Sequence, residues 1–245
     1  MRRREGEGIL VDGPNQYNRT HTDCGDVTVG VHSELSVGKY LQFVYFSYVY
    51  EDCSMSERQL LNKTNLGIQD GLPLQASQGG IEELRKDIQR LMDIEAIKQL
   101  KYAYFRCVDT ANLEELGTLF HEDVAVHFHG GNYEWKLRGR EEYVANIGKS
   151  FTSEAIGHHN AHHPEIQILS ETEATALWYL ADTMWILNHN SRTQGTALYS
   201  DRYLKVDGKW QIKETSYERI YEINDVLEER PNLSSHYLGV HGTKV

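Results

Sequence analysis

The spacing of apolar positions along the chain changes at residue 81. From there to Cys107 they recur at three- and four-residue steps, which is the period of an α-helix. Asp93 lies inside this run and is a candidate N-cap for a second helical segment. Shorter helices are predicted at 112–120 and 140–151. The apolar positions of the long run are Ile81, Leu84, Ile88, Leu91, Ile94, Ile97, Leu100, Tyr104 and Cys107.

From Pro164 onward the pattern is that of long β-strands, rich in Thr, Val, Tyr and Trp. Asp207-Gly208 stands between two of them and is the signature of a two-residue hairpin. Helices followed by a block of antiparallel strands predict an α+β fold, in which the helices pack on one face of the sheet. The predicted strands are 124–129, 164–170, 171–187, 195–206 and 209–223.

The first 80 residues show neither period. They are rich in Gly, Asn, Ser and Asp, and we expect a poorly ordered N-terminal extension at 1–80. An over-extended gene start would explain it, with Met55 as an alternative initiator. One run, KYLQFVYFSYVY at 39–50, has the composition to pair as a strand. The predicted organisation is this extension, one domain at 81–225 and a C-terminal tail at 226–245.

Acidic side chains outnumber basic ones by 36 to 25, which makes the formal net charge -11. Nucleic-acid binding requires a clustered cationic surface, so the charge argues against that class of partner. The cysteines, Cys24, Cys53 and Cys107, have no CxxC spacing and indicate neither a disulfide framework nor a zinc site. No apolar run has the length needed to span a bilayer. We therefore expect a cytoplasmic protein with no nucleic-acid or membrane partner.

One predicted strand carries a carboxylate among apolar residues. Side chains alternate across a sheet, so Asp182 shares a face with Trp178 and Met184. An unpaired buried charge is costly, and Asp182 must therefore be neutral or find a cation or an imidazole. Two interpretations stay open, a catalytic carboxylate and a structural ion pair with Arg202 or Arg219.

Histidines are clustered between residues 158 and 163. In an extended segment His159 and His163 share a face, so a metal site is one interpretation and a polar, solvated loop is the other. No HExxH motif supports the metal. His127 and His129 with Glu134 have the spacing of a cupin metal motif, but the flanking glycines of that motif are missing. Neither pattern is specific.

Two further groups carry candidate chemistry. Tyr104 lies on the apolar stripe of its helix, so its phenol points inward and needs a partner or a cavity. On the last strand Tyr217, Arg219 and Tyr221 share a face, which sets a guanidinium between two phenols. That group is either a clamp for an anion or a carbonyl, or a paired surface arginine.

Several segments together resemble the SnoaL-like branch of the nuclear transport factor 2-like superfamily, and within it the bacterial bile acid 7α-dehydratases. They occur in the family's order over roughly residues 82–225. The resemblance implies a cone-shaped α+β barrel, in which a curved antiparallel sheet encloses a deep pocket and N-terminal helices pack on the sheet. The segments are MDIEAIKQLKYAYFRCVDT (92–110), HHPEIQI (162–168), WYLAD (178–182) and GTALYSDRYLKVDGKWQIKETSYERIYE (195–222).

The resemblance also implies residue roles. The dehydratases' catalytic tyrosine, their histidine and the aspartate that partners it correspond to Tyr104, His159 and Asp182. The remaining positions are expected to bind substrate or line the pocket. They are Asp109, Phe128, Trp178 and Arg219.

These residues imply a lyase. His159, oriented by Asp182, would remove a carbon-bound proton, and Tyr104 would stabilise the enolate while water leaves a hydroxylated polycyclic or steroid-like ketone. That chemistry requires no metal or organic cofactor. An isomerase or cyclase using the same enolate, and a binding protein without chemistry, stay open as alternatives. The resemblance further implies a small apolar polycyclic or aromatic substrate as partner and self-association as a dimer or trimer.

Overall fold

The computed structural model of the protein describes residues 60–75, 79–131 and 133–245. Contacts divide the chain between Ser56 and Glu57, and every described residue belongs to the second part. The strand predicted at 39–50 lies outside the described residues.

α1 (Ile81–Asp109) is one continuous helix of 29 residues. The expected second segment capped by Asp93 is wrong, because Asp93 is buried and its carboxylate accepts hydrogen bonds from the Trp210 indole at 3.0 Å and the Lys205 ammonium at 2.6 Å. Gln89 of the same helix also donates to it at 3.2 Å, so these partners are side chains and not the helix backbone that a cap would bind. The other helices are α2 (Leu113–Thr118), α3 (Arg140–Ser150) and α4 (Tyr237–His241).

One sheet contains six strands: β1 (Phe120–His129), β2 (Glu134–Arg138), β3 (Ala155–Ile168), β4 (Glu173–Ile186), β5 (Ser191–Val206) and β6 (Lys209–Val226). Their order is β2-β1-β6-β5-β4-β3. All neighbours pair antiparallel except β1 and β6, which run parallel. Since β2 and β3 are edges, the described strands do not close into a barrel. The α+β prediction is confirmed, with one parallel pair that a purely antiparallel sheet would lack.

β3 starts at Ala155, ahead of Pro164, and carries all the clustered histidines. The loop interpretation is therefore wrong for them. Proline is tolerated here because β3 is an edge strand and its register shifts in a bulge after His162, where His163 has a φ of 50°. The bulge breaks the alternation, and His163 lies beside His162 instead of sharing a face with His159.

The hairpin between β5 and β6 is the one predicted. Asp207 and Gly208 have φ values of 50° and 75°, and positive φ at both central residues defines a type I′ turn. This turn matches the twist of the two longest strands and sets their register from its end.

The helices pack on one face of the sheet, which we call the inner face and which carries Asp182, Tyr199 and Arg219. The hydrophobic core between the helices and this face includes the fully buried side chains of Trp178 from β4 and Tyr143 from α3. No helix within the described ranges is long and apolar enough to cross a membrane.

Segments on either side of the predicted domain also contact it. The extension expected at 1–80 includes a described part whose Leu72 N–H donates to the Ile168 carbonyl at 2.8 Å and whose Leu66 carbonyl accepts from Ser200 at 2.6 Å. In the C-terminal tail Leu238 is buried, and the Thr243 carbonyl accepts from the backbone N–H of Ser153 at 2.9 Å.

Candidate active site

A cavity of about 360 Å³ lies between the helices and the inner face of the sheet. Aromatic rings form most of its wall, and its polar residues supply phenols, one imidazole, one carboxylate, one guanidinium and the hydroxyls of Ser150 and Thr193. Ligand sites are typically of this kind, apolar with a few polar groups. The aromatic and charged lining residues are Tyr104, Phe128, Tyr133, Trp135, Tyr143, Phe151, His159, Asp182, Tyr199, Tyr217 and Arg219.

His159 is held by Asp109, at the end of α1. The Nδ1 atom of His159 is 2.5 Å from Asp109 Oδ1, and the backbone N–H of His159 donates to Asp109 Oδ2 at 3.0 Å. A carboxylate at Nδ1 favours the tautomer that carries its proton there, which leaves Nε2 as the basic atom. Nε2 has no hydrogen-bond partner among the described residues. The ring stacks on Phe105 at 5.8 Å with an interplanar angle of 15°.

The expected pairing of His159 with Asp182 is wrong. The two residues are register partners on β3 and β4, but Arg219 takes the Asp182 carboxylate with two hydrogen bonds of 2.5 and 2.8 Å. Of the two interpretations left open for Asp182, the geometry is that of the ion pair with Arg219. Arg202 binds Glu173 and Glu214 elsewhere.

Two glycines, Gly157 and Gly195, lie beside these two pairings. A Cβ atom on Gly157 would lie 2.7 Å from Asp109 Oδ1, so the bare backbone of β3 admits the carboxylate. Gly195 lies between Asp182 and β6, and a Cβ there would be 2.4 Å from the Tyr221 carbonyl oxygen and 3.4 Å from the Arg219 guanidinium. Gly157 therefore provides clearance for the Asp109 carboxylate, and Gly195 provides clearance for the β6 backbone at Tyr221.

Arg219 has a second carboxylate that the alternation of side chains concealed. Thr196 pairs with Tyr221 and Ala197 with Arg219, so β6 has one extra residue between them and Tyr221 faces away from Arg219. The same bulge turns Glu222 inward, where its Oε2 is 3.1 Å from Arg219 Nε. Burial opposes the charge of Arg219, but the hydrogen bonds that Arg219 donates to Asp182, together with the negative charge of Asp182, outweigh it and raise the guanidinium pKa.

The phenols of the cavity form two hydrogen-bonded groups. Tyr104 and Tyr143 are joined at 2.7 Å, with Tyr199 beside them, and Tyr133 is joined to Tyr217 by a short hydrogen bond. Burial raises the pKa of Tyr104, Tyr143, Tyr199 and Tyr217, so these phenols remain protonated and able to donate. Sequence reasoning found Tyr104 and Tyr217 but missed the others. The alternation along β5 could have placed Tyr199 on the inner face.

Phe128 lines the cavity as expected, stacked on Tyr217 at 4.5 Å. Trp178 does not. It is fully buried further along β4, where its indole N–H donates to the Tyr203 hydroxyl at 3.0 Å. Alternation places Trp178 on the correct face, but it carries no information about depth. Asp109 reaches the cavity only through His159.

Asp109 also borders a second cavity of about 330 Å³, formed with the tail residues around Tyr237. The tail therefore lies across this second cavity from Asp109, and none of its residues is among those lining the aromatic cavity of about 360 Å³.

The two histidine patterns do not assemble a metal site. His127 pairs with exposed Glu134 at 2.9 Å, and His162 lies 2.8 Å from His163 through their Nδ1 atoms. In the part of the chain that the structure describes, no three His, Cys, Asp or Glu side chains converge as metal ligands.

A six-stranded sheet and a helical layer thus enclose an aromatic cavity in an α+β fold. Residues 89–216 match the SnoaL-like domain family. This match covers more than half of the chain, and the protein belongs to the SnoaL-like family.

Solved structures share the fold. The hexachlorocyclohexane dehydrochlorinase LinA type 3 of Novosphingobium barchaimii is 16% identical, with 60% of this chain and 99% of that chain covered and a TM-score of 0.52. A LinA type 2 enzyme is 15% identical over 61% of this chain and 99% of its own, with a TM-score of 0.53. The Kfla4162 protein of Kribbella flavida is 15% identical over 55% and 95%, with a TM-score of 0.50. At these identities the likeness concerns the fold.

Proposed function

We propose that this protein is a lyase that eliminates water from a hydroxylated cyclic ketone bound in the aromatic cavity that His159 lines. The observation that carries the proposal is the Asp109–His159 pair, which leaves Nε2 of His159 unpartnered within an aromatic cavity. An imidazole held in one tautomer by a carboxylate is suited to act as a general base near neutral pH.

The first step is removal of a proton from the carbon next to the hydroxyl-bearing carbon, which is acidic because it lies beside the carbonyl or, in a 3-oxo-Δ4 steroid, beside the conjugated double bond. The C–H bond breaks, Nε2 of His159 receives the proton, and the electron pair moves through the new C=C bond onto the carbonyl oxygen. Asp109 stabilises the imidazolium that results. The protonated phenols of Tyr104 and Tyr217 line the same cavity and are donors suited to the enolate oxygen.

The second step releases water. The enolate re-forms the carbonyl, the new double bond forms to the carbon that carried the hydroxyl, and the C–O bond breaks. The imidazolium returns its proton to the departing hydroxide, which leaves as water. The base is restored, and neither step requires a metal or an organic cofactor.

Cavity size and lining favour a compact ring-bearing substrate. A volume of about 360 Å³ is at the lower end of the range of about 300–1,000 Å³ for ligand sites. Phe128 and Trp135 offer flat apolar walls. Within the polycyclic class implied by the resemblance to the bile acid dehydratases, this favours the smaller members over a full steroid.

An elimination also agrees with the activity named for two proteins of the same fold. The LinA enzymes are dehydrochlorinases, and loss of hydrogen chloride, like loss of water, needs a base at a C–H bond. An isomerase or cyclase would use the same enolate and begin with the same proton transfer.

The test is turnover by the full chain with two panels, 7-hydroxylated 3-oxo-Δ4 steroids and bicyclic hydroxylated ketones. We expect new conjugated absorbance with the smaller ketones, abolished in His159→Ala. His158→Ala is the matched control, because it removes the adjacent imidazole from the opposite face of β3. If the protein binds members of the panels but turns over none of them, the lyase proposal is wrong and the protein is a binding protein.

A further inference from the structure

A buried ion pair lies beneath the cavity and has no part in the steps above. Lys101 of α1 and Asp201 of β5 both have side chains with no exposed surface, and Lys101 Nζ is 2.8 Å from Asp201 Oδ2. Two charges taken out of water cost several kcal/mol each before their attraction is counted, and an apolar pair of similar volume is often at least as stable. Fold stability alone therefore does not account for this pair.

The carboxylate end of the pair is fully occupied. Tyr203 donates to Asp201 Oδ2 at 2.6 Å, and Thr215 donates to Oδ1 at 2.7 Å. The Tyr203 hydroxyl in turn accepts from the Trp178 indole at 3.0 Å. These contacts fix Asp201, and with it the position of the Lys101 ammonium.

The ammonium end faces the rings of the cavity tyrosines. Lys101 Nζ is 3.8 Å from the ring centroid of Tyr199 and 4.8 Å from that of Tyr104. Both tyrosines line the cavity. The cation therefore lies against aromatic rings of residues that also line the proposed substrate site.

A cation against a ring face draws electron density from the ring. In a phenol this strengthens the O–H as a hydrogen-bond donor and favours negative charge near the oxygen. Burial and the Asp201 charge act in the opposite direction and raise the pKa of both phenols. Lys101 neutralises the negative charge of Asp201, which would otherwise destabilise a developing oxyanion by repulsion.

We propose that Lys101, held by Asp201, is a positioning residue that acts through the rings of Tyr199 and Tyr104 to make the cavity prefer an anionic oxygen over a neutral one. This inference rests on the proposed function, in which that oxygen belongs to an enolate. The ligands that the cavity would prefer are enolates and phenolates.

The experiment measures binding of fluorinated phenols, which share one shape and differ in acidity, to the full chain by calorimetry. In the unaltered protein the affinity rises with the acidity of the phenol. In Lys101→Met/Asp201→Asn, which removes both charges and leaves neither unpaired, we expect the affinity ratio between the most and least acidic phenol to fall about three- to tenfold.

A second lysine–aspartate pair provides the matched control. Lys205 is 2.6 Å from Asp93 and 4.8 Å from the ring centroid of Trp210, and none of these residues lines the cavity. Lys205→Met/Asp93→Asn removes an equivalent pair and should leave the affinity ratio unchanged. Circular dichroism and thermal melting of both double variants establish that each is folded.

The outcomes separate this inference from the proposed function. If folded Lys101→Met/Asp201→Asn keeps the unaltered affinity ratio, the role of Lys101 is refuted and the lyase is untouched. An equal loss in the control pair would assign the effect to general stability and also refute it. If the unaltered protein binds no phenol, the oxyanion site itself is absent, and the proposed function fails with the inference.

Discussion

Two aspartates flank His159, and each has a different partner. Asp109 binds the imidazole, whereas Asp182 binds Arg219. A resemblance to a family predicts which residues occur at a site but not which of them are in contact. Asp182 lies opposite His159 in the register of β3 and β4, yet it forms no hydrogen bond with the imidazole. The consequences of removing each charge therefore differ.

Asp109→Asn should abolish most of the activity while the chain stays folded. An amide at Nδ1 offers an N–H or a weaker acceptor, so the tautomer with a basic Nε2 is no longer enforced. The corresponding change in serine-protease triads costs about 10⁴-fold, and we expect a loss of about 10²- to 10⁴-fold here. Turnover of the substrate found by screening measures it. Activity within twofold of the unaltered protein would refute the role of Asp109.

Asp182→Asn should act mainly on stability. It leaves the buried Arg219 guanidinium with Glu222 as its remaining carboxylate, and breaking a buried pair typically costs about 3–5 kcal/mol. We expect the lower end, about 3 kcal/mol less free energy of unfolding, measured by urea denaturation. Arg202→Gln breaks surface pairs and should cost less than about 1 kcal/mol. Equal costs would contradict the assignment.

At the scale of elements, the end of α1 and the start of β3 meet at one glycine. The Asp109 carboxylate approaches β3 where Gly157 has no side chain, with Phe151 on the other side. The Asp109–His159 pair therefore depends on clearance between a helix and a strand, and a single methyl group is enough to remove that clearance.

Gly157→Ala tests that clearance. The new Cβ would lie 2.7 Å from both Asp109 Oδ1 and Phe151 Cε1, so the carboxylate must move. We expect at least a tenfold loss of turnover, since an error of about 1 Å in a catalytic group can cost 10²-fold. Gly117→Ala, in α2 with nothing within 4 Å, is the control and should leave turnover unchanged. If both variants are fully active, Asp109 does not need this approach.

At the scale of the whole molecule, the excess of acidic groups is offset locally by ion pairs on the exposed β1–β2 edge. Lys213, with a further contribution from His121, lowers the pKa of Asp123 to about 2, and Lys136 with His127 lowers that of Glu134 to about 2. A carboxylate whose pKa is lower in the folded state adds stability above its unfolded pKa of about 4. That contribution is lost as the pH falls through about 2.

In Asp123→Asn/Glu134→Gln the free energy of unfolding should therefore depend less on pH below about pH 4 than it does in the unaltered protein. The unaltered protein loses stability between about pH 4 and pH 2 as these carboxylates take up protons, and the double variant has fewer such groups to protonate. Urea midpoints at pH 5.5 and pH 2.5 give the difference, at low salt because exposed pairs are screened. Glu228→Gln/Glu229→Gln, at exposed positions, is the control. Identical slopes in all three proteins would contradict the prediction.

Local periodicity determined much of the fold. A 3.6-residue period specifies a helix and its buried stripe, and alternation specifies a strand and its faces. The helix from Ile81, the inward face of Asp182 and the Asp207-Gly208 turn follow from neighbours in sequence alone. The SnoaL-like assignment also came from the sequence, because several motifs agreed in order.

Tertiary structure alone decided which groups meet. Alternation is lost at a bulge, and two bulges turned His163 away from His159 and turned Glu222 toward Arg219. The face on which a side chain lies does not determine its position along the strand relative to the cavity. Trp178 therefore shares a face with Asp182 but does not line the cavity. The pairing of His159 with Asp109, fifty residues away along the chain, depends on clearance at Gly157. Register and close approach arise only when distant segments pack, and no local pattern contains them.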